Sequence, residues 1–225
     1  MKALGKSFRK YSYLNDHRFV STPSLGSLDT KHFSYFVDSI DIDYEKLQEN
    51  TKRVKNILEW GKEVVVKTKK GTNLTFNIRG TNIVSNDGNY SRKGSGGNLP
   101  AGEVYIATKK DMVDGTAVID GTLTHQWGTM LVKKPVRLKI LGGKAVEIEG
   151  GIEANLLQKT LEHAHSKAKF PWGIRCVGEL GIGMNPKASL LGATIMDEKV
   201  LGTAHIALGS NYWFGGTIYA IIHLD

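Results

Sequence analysis

The chain has 225 residues, of which 40% are apolar and 23% charged, a composition typical of a globular protein and unlike that of disordered, collagen-like or coiled-coil chains. Lysine and arginine exceed aspartate and glutamate by 30 to 22, a net charge of +8, but the basic residues are scattered singly or in pairs, which argues against nucleic-acid binding as the main function. The sequence contains no apolar run of about 18 residues or more, so it predicts no membrane span.

Two features of the sequence concern the cellular compartment. The N-terminus lacks the apolar stretch of a secretory signal, and Cys176 is the only cysteine. A single cysteine cannot form an internal disulfide, which fits a reducing environment. We therefore expect a cytoplasmic protein.

The predicted elements begin after residue 40, because residues 1–40 show no clear hydrophobic period. From Asp43 to Trp60 apolar residues recur at helical spacing, so we expect a helix that Asp43 caps and Gly61 ends. A second helix is predicted over 153–167. Strands are predicted, in chain order, at 63–68, 73–78, 104–108, 117–119, 129–132, 136–140, 145–148, 174–181, 203–208 and 217–225. This order predicts an α+β domain that is dominated by sheet and has two main helices.

Ionisable residues interrupt apolar, strand-like segments in the last third of the chain. Glu179 lies among apolar and glycine residues. If it is buried it needs a metal ion, another cation or a proton, whereas at a sheet edge it would face water. His205 is the one large polar side chain of its segment, and a satisfied core histidine is the ordinary interpretation. His223 and Asp225 are two residues apart, so in a strand their side chains leave the same face about 7 Å apart.

Together these four side chains offer two imidazoles and two carboxylates. That combination of nitrogen and oxygen ligands is favoured by Zn²⁺, Mn²⁺, Co²⁺ and Fe²⁺. The sequence motifs of the common metalloproteases, zinc fingers and serine hydrolases are absent. We therefore expect a metal site of another kind.

Five segments, in this order, carry a resemblance to a known family: 98–104, 178–183, 197–199, 202–209 and 223–225. They resemble the thermophilic-type metallo-aminopeptidases, which include aminopeptidase T, aminopeptidase S and PepS, and most of all the compact aminopeptidase T-like branch. The resemblance covers about residues 40–225. It implies a catalytic domain over 41–225 that is truncated at its C-terminus, and a short leader over 1–40 that is the remnant of an N-terminal domain.

The resemblance also implies a site and an activity. Two divalent metal ions (Zn, Co, Mn or Mg) would be bound by Glu103, Glu179, His205, His223 and Asp225, with Glu179 as the bridge between them. Glu103 or Glu179 would take the proton from a shared water. Tyr212 stands at the position of a tyrosine that lies near the metals in the family, although it also fits an aromatic packing cluster. The implied function is an aminopeptidase, a hydrolase that acts on peptides and works as a homodimer, with no nucleic-acid or membrane partner.

Two alternatives stay open at this point. Ring-opening dioxygenases of dihydroxypyridine resemble the same motifs, and their single Fe(II) would be held by His205, His223 and Asp225. Glu179 favours the hydrolase, because a mononuclear triad does not require a fourth charged group. The second alternative is an inactive relative, suggested by the short leader and the missing final strands.

Overall fold

A computed structural model describes residues 16–225, so the first 15 residues of the predicted leader lie outside the described part. Its α-helices are α1 (Phe33–Ile40), α2 (Tyr44–Trp60), α3 (Ile152–Lys167) and α4 (Thr194–Asp197). Short 3₁₀ helices occur at Leu25–Ser27, Thr30–His32, Pro171–Gly173 and Tyr212–Phe214. The strands are β1 (Phe19–Ser21), β2 (Glu63–Lys67), β3 (Asn73–Asn77), β4 (Asn82–Asn86), β5 (Gly96–Asn98), β6 (Glu103–Ala107), β7 (Val113–Ile119), β8 (Thr122–His125), β9 (Gly128–Leu131), β10 (Val136–Leu141), β11 (Lys144–Glu149), β12 (Val177–Gly183), β13 (Ala204–Gly209) and β14 (His223–Leu224).

Two five-stranded antiparallel sheets form the body of the domain. The first has the strand order β11-β10-β7-β3-β2, and the second has the order β14-β13-β12-β6-β4. Two small ribbons complete the strand pairing: β1 pairs in parallel with β5, and β8 pairs antiparallel with β9. The second sheet brings together strands from residue 82 to residue 224, so its pairings are mostly long-range.

The two sheets share one hydrophobic core with the long helices. Strand β10 shows the alternation expected of a sheet with one buried face, because Val136, Leu138 and Ile140 are buried and the residues between them are exposed. The shared core takes residues from the first sheet, the second sheet, α2 and α3, for example Phe76, Ile106, Leu58 and Leu161. The domain is thus a sheet-rich α+β fold, as the sequence predicts.

Both predicted helices are confirmed. The side chain of Asp43 accepts a hydrogen bond from the backbone N–H of Lys46 at 3.0 Å, and the N–H of Gly61 closes the last turn on the carbonyl of Leu58. Helix α1 lies in the part that the sequence left unassigned, and its Phe36 packs in a small separate cluster with Met196. None of the helices in residues 16–225 has the length and apolar character that crossing a bilayer requires.

The strand predicted over 217–225 is wrong except at His223 and Leu224. Side chains join backbone groups in holding this segment: the N–H of Ile218 donates to Oδ1 of Asn211, and the carbonyl of Ile218 accepts from the N–H of Asn211 and the hydroxyl of Ser210. These bonds satisfy the backbone of a chain that turns before it reaches the sheet.

Candidate metal centre

One face of the second sheet collects the ionisable residues. Across β6 and β12, Glu103 lies opposite Gly183 and Tyr105 lies opposite Gly181. Across β12 and β13, Gly181 also lies opposite His205. Because directly opposite residues share a face and side chains alternate along a strand, Glu103, His205 and Glu179 point to the same side.

Strand β14 and the residue that follows it add the remaining two ligands, His223 and Asp225, at the edge of the sheet. His223 lies opposite Gly209 of β13, which places it on the same face as His205. The backbone carbonyl of Asp225 accepts a hydrogen bond from the N–H of Thr124 at 3.0 Å, so ribbon strand β8 holds this end of the chain against the site.

A glycine makes room for His205. A Cβ atom at Gly181 would overlap Cε1 and Nε2 of the His205 ring, and it would lie only 2.9 Å from Cδ2. The imidazole therefore rests directly on the backbone of β12. This contact explains why a glycine stands in the middle of a buried strand, where it otherwise weakens pairing.

The two histidines lie within ion-pair distance of the carboxylates. Nε2 of His205 is 3.2 Å from Oε1 of Glu179 and 3.9 Å from Oε2 of Glu103. Nε2 of His223 is 3.5 Å from Oε2 of Glu179 and 3.3 Å from Oδ1 of Asp225. The structure thus brings together all five predicted metal ligands, with Glu179 between the two imidazoles.

The orientation of His223 is fixed by its other ring nitrogen. Nδ1 lies 2.8 Å from the carbonyl oxygen of Ser210, and a carbonyl can only accept, so Nδ1 carries the proton and donates it. In the neutral ring the lone pair of Nε2 then points at the oxygens of Glu179 and Asp225. A backbone carbonyl that orients a histidine in this way is the usual outer partner of a metal-bound imidazole.

The charges of the site call for a cation among these groups. Nδ1 of His205 is buried without a hydrogen-bond partner among the residues that the structure describes, and the nearest partner of Oδ1 of Asp225 is Nε2 of His223 at 3.3 Å. Burial alone would lower the pKa of both histidines, but the adjacent carboxylates outweigh it and raise the pKa of His205 to about 9 and that of His223 to about 10. Burial would raise the pKa of Asp225, yet His223 holds it at about 2. The cluster therefore suits a divalent ion, and without one it attracts protons.

Two overlapping sets of side chains have ligand atoms that all lie within 4.8 Å of one another. One set is Glu179, His205 and Asp225, and the other is Glu103, Glu198 and His205. Nitrogen and carboxylate ligands in these numbers fit Fe²⁺, Mn²⁺, Co²⁺ or Zn²⁺. The donor chemistry therefore fits a metal ion, as the sequence predicts.

Glu198 and Lys199 belong to the site, although the resemblance, whose segments include 197–199, gave them no role. Nζ of Lys199 is 2.8 Å from Oε1 of Glu103 and also contacts Oε1 of Glu198. Burial alone would lower the pKa of Lys199, but these two carboxylates outweigh it and raise the pKa. A neighbouring glutamate and lysine in a sequence usually form a solvated pair, and only the burial of Lys199 shows that this one is different.

A cavity of about 440 Å³ opens over this face of the sheet. Its polar wall includes Glu103, Glu179 and Asp225, and its aromatic wall includes Trp213 and Phe214. The ring centroids of Trp213 and His223 are 4.9 Å apart in an edge-to-face contact. A second cavity of about 260 Å³, mostly aliphatic, reaches His205 and Asp225 as well.

Tyr212 is not among the residues that line either cavity. Its side chain is two-thirds exposed, and its ring contacts Tyr219 edge to face. The neighbouring Trp213 and Phe214 face His223 instead. The catalytic role of Tyr212 stays a prediction from the resemblance alone.

Comparisons with known proteins give the family. The model of the family NicX, described as 2,5-dihydroxypyridine 5,6-dioxygenase, matches residues 42–221. The solved structure of the 2,5-dihydroxypyridine dioxygenase from Pseudomonas putida KT2440 is similar with a TM-score of 0.73 and 19% identity, over 85% of this chain and 56% of that one. Wild-type AmpT from Thermus thermophilus is similar with a TM-score of 0.54 and 18% identity, over 85% of this chain and 48% of that one. No curated protein matches the chain.

These findings correct the function that the resemblance implied. The chain spans about half the length of both solved structures, and at these identities their likeness shows the fold alone. The chain thus shares its fold with AmpT as well as with the dioxygenase. The predicted aminopeptidase activity and hydrolase class are wrong, because the family model that matches four-fifths of the chain is that of a dioxygenase. The chain belongs to the NicX family, that of the 2,5-dihydroxypyridine 5,6-dioxygenases.

Proposed function

We propose that this protein is a ring-opening dioxygenase that acts on a dihydroxylated pyridine and uses one ferrous ion held by His205, His223 and Asp225. The observation that carries the proposal is the orientation of His223, whose Nδ1–H donates to the carbonyl of Ser210 and whose Nε2 faces the carboxylates. Two imidazoles and one carboxylate are the ligand set of non-haem Fe(II) oxygenases. The family supports the same chemistry.

If a single ion is bound by His205, His223 and Asp225, Glu179 is not a ligand and is free to act as a base. When bound, the ferrous ion would supply Lewis acidity and a path for electrons from the aromatic ring to dioxygen, both of whose atoms end in the ring-opened product. Glu179 is buried, and burial raises its pKa, so its carboxylate is a stronger base than an exposed glutamate. Its oxygens lie on the cavity wall beside both imidazoles. In this proposal Glu179 accepts the proton of a ring hydroxyl as the substrate binds.

The cavity fits a small, flat, polar aromatic molecule. Trp213 and Phe214 form an aromatic wall next to His223, and Ser21 and Asn98 add polar groups on the lining. An aromatic ring in contact with this wall would be stabilised by edge-to-face or offset stacking. The aliphatic second cavity, which also reaches His205 and Asp225, offers a small apolar gas such as dioxygen a separate approach to the ion.

The test is oxygen uptake by the iron-loaded protein. The protein is purified without oxygen, loaded with one equivalent of Fe²⁺ and mixed with 2,5-dihydroxypyridine while dissolved oxygen and the ultraviolet absorption of the ring are followed. We expect equimolar loss of oxygen and of the aromatic absorption. Exchange of any triad residue for alanine should abolish both the activity and iron binding.

The matched control is His163→Ala, since His163 is an exposed histidine of α3 that lines neither cavity. This variant should bind iron and consume oxygen like the parent. Iron-loaded protein that leaves the ring intact would refute the proposed reaction. Unchanged iron binding in the triad variants would refute the assignment of the ligands.

A further inference from the structure

Three threonine hydroxyls meet where the two cavities adjoin. Thr124 of β8 lies opposite Thr129 of β9, and Thr194 is the first residue of α4. The Oγ1 atoms of Thr124 and Thr129 are 3.0 Å apart, those of Thr124 and Thr194 are 3.1 Å apart, and those of Thr129 and Thr194 are 2.5 Å apart. Each hydroxyl is therefore within hydrogen-bond distance of the other two. These three residues are called the threonine cluster below.

The threonine cluster borders the space in which the substrate would bind. Thr124 and Thr194 line both cavities, whereas Thr129 lines neither. The backbone N–H of Thr124 donates to the carbonyl of Asp225 at 3.0 Å, so the cluster adjoins a proposed ligand of the ion. The cluster also lies outside the five segments that resemble the aminopeptidases, so the resemblance to those hydrolases does not account for it.

The threonine cluster satisfies its own donors and keeps the capacity to accept. A threonine hydroxyl has one donor and two acceptor lone pairs, and its hydrogen can rotate. Three hydroxyls in a closed triangle use all three donors but only one lone pair of each oxygen. The second lone pairs of Thr124 and Thr194 can thus accept a hydrogen bond from a ligand without the loss of an internal bond. A ligand that needs a donor would instead break one bond of the triangle.

The carboxylates of the larger cavity have other partners or tasks. In the proposed function Asp225 binds the ion and Glu179 accepts the proton of a ring hydroxyl. Glu103 and Glu198 contact the ammonium of Lys199. The ring nitrogen of a dihydroxylated pyridine still needs a partner, and the threonine cluster offers it a neutral one beside the ion.

The form of the ring nitrogen decides what that partner must do. A pyridine with a hydroxyl group next to the nitrogen has a second tautomer, the pyridone, in which the nitrogen carries the hydrogen and donates. We propose that the hydroxyls of Thr124 and Thr194 accept the ring N–H of the substrate in its pyridone form and so select a pyridine ring over a benzene ring. The inference rests on the proposed function, because it assumes that a dihydroxylated pyridine binds beside the ion.

The experiment compares two ligands that differ at the ring nitrogen. 2,5-Dihydroxypyridine and hydroquinone carry two hydroxyl groups in the same arrangement, but hydroquinone has a C–H group in place of the nitrogen. Both dissociation constants are measured by calorimetric titration of the Zn²⁺-loaded protein without oxygen, so that binding is recorded without turnover. The quantity compared between proteins is the ratio of the hydroquinone constant to the dihydroxypyridine constant, from which intrinsic differences between the ligands cancel.

Thr194→Val removes one hydroxyl and keeps the branched shape of the side chain. We expect the ratio to fall by about three- to tenfold from its wild-type value, the effect of one lost hydrogen bond. A purely structural role of the cluster would weaken the binding of both ligands alike. An unchanged ratio in folded Thr194→Val would therefore overturn the inference. Thr124→Val should lower the ratio in the same way and provides the test if Thr194→Val does not fold.

The control is Thr81→Val, which also removes a bonded threonine hydroxyl. The hydroxyl of Thr81 donates to the carbonyl of Ile78 at 2.8 Å, and Thr81 lines neither cavity. This variant should keep the wild-type ratio, and an equal fall there would overturn the assignment to the threonine cluster. The ultraviolet absorption of the bound dihydroxypyridine provides a second readout, since the pyridone and hydroxypyridine forms absorb differently. A bound hydroxypyridine form would overturn the inference as well.

The outcomes separate this inference from the proposed function. A wild-type protein that does not bind 2,5-dihydroxypyridine would refute the proposed function and, with it, the inference. A wild-type protein that binds this ligand, together with threonine variants that have the wild-type ratio, would refute the inference alone.

Discussion

Gly181→Ala should damage the metal site without changing any ligand. The added Cβ would overlap Cε1 and Nε2 of His205 and would lie 2.9 Å from Cδ2, whereas carbon atoms in ordinary contact are about 3.5–4.0 Å apart. The ring must therefore move by more than about 0.5 Å even at Cδ2, and further at Nε2. The His205 side chain is 14% exposed, so it can yield toward the cavity and leave the strand pairing intact.

This displacement should weaken metal binding substantially. Metal sites require their ligands within about 0.5 Å of the productive geometry, and changes to the groups that position a ligand reduce affinity by about 10- to 100-fold. That range corresponds to about 1.4–2.7 kcal/mol of binding free energy. The assay is calorimetric titration with Co²⁺, combined with the visible absorption of bound Co²⁺, which reports the ligand geometry.

The matched control is Gly26→Ala, because a Cβ at Gly26 meets nothing within 4 Å. It should bind Co²⁺ like the parent protein. Circular dichroism and the melting temperature establish that Gly181→Ala is folded. A folded Gly181→Ala protein with parental affinity and an unchanged Co²⁺ spectrum would show that His205 is not a ligand, or that its ring does not rest on β12.

Two further predictions concern protons and stability. Since carboxylates raise the pKa of His205 to about 9 and that of His223 to about 10, the metal-free site holds protons at neutral pH, and an ion must displace them. The apparent metal affinity should therefore rise with pH by about tenfold per unit for each proton released. Calorimetry in two buffers of different ionisation enthalpy should detect this proton release. Metal binding without proton release would contradict the assignment of His205 and His223 as ligands. The buried side-chain amide of Asn211 donates to the carbonyls of Thr108 and Gly178 and accepts from the N–H of Ile218. Asn211→Ala removes these hydrogen bonds, so it should lower the free energy of unfolding, measured in a urea titration, by about 3 kcal/mol. The exposed Asn73→Ala should change it by less than about 0.5 kcal/mol, and an equal effect of both substitutions would refute the role of the buried amide.

Local chemistry explains which parts of the fold were predictable from sequence. Helix α2 has helical spacing, an aspartate cap and a terminal glycine, and all three features act within the helix itself. The segment 217–225 is rich in strand-forming residues, but Asn211 and Ser210 bind its backbone from outside the segment. Helix α1 is stabilised by Phe36 against Ile195 and Met196, contacts that no local pattern reveals.

The site was predictable to the extent that polar residues interrupt apolar strands. That signal identified Glu179 and the pair His223 and Asp225, and the family resemblance added Glu103. The resemblance included the segment 197–199 but gave Lys199 no role, because a lysine next to a glutamate has no feature in the sequence that distinguishes a buried ion pair from a solvated one. It favoured two ions, because Glu179 adds a carboxylate to the triad of His205, His223 and Asp225, and the number of ions stays a proposal. The predicted homodimer stays a prediction.

The strand pairings described above also determine when an ion can bind during folding. Lys199 and Glu103 are 96 residues apart in the chain, and the carbonyl of Asp225 bonds to Thr124 in a separate ribbon. Such long loops must close before the ligands meet, and closure of this kind is slow. A bound ion would therefore stabilise only the completed second sheet, by mass action. Metal occupancy in a refolding mixture would then measure directly the fraction of chains that have finished folding.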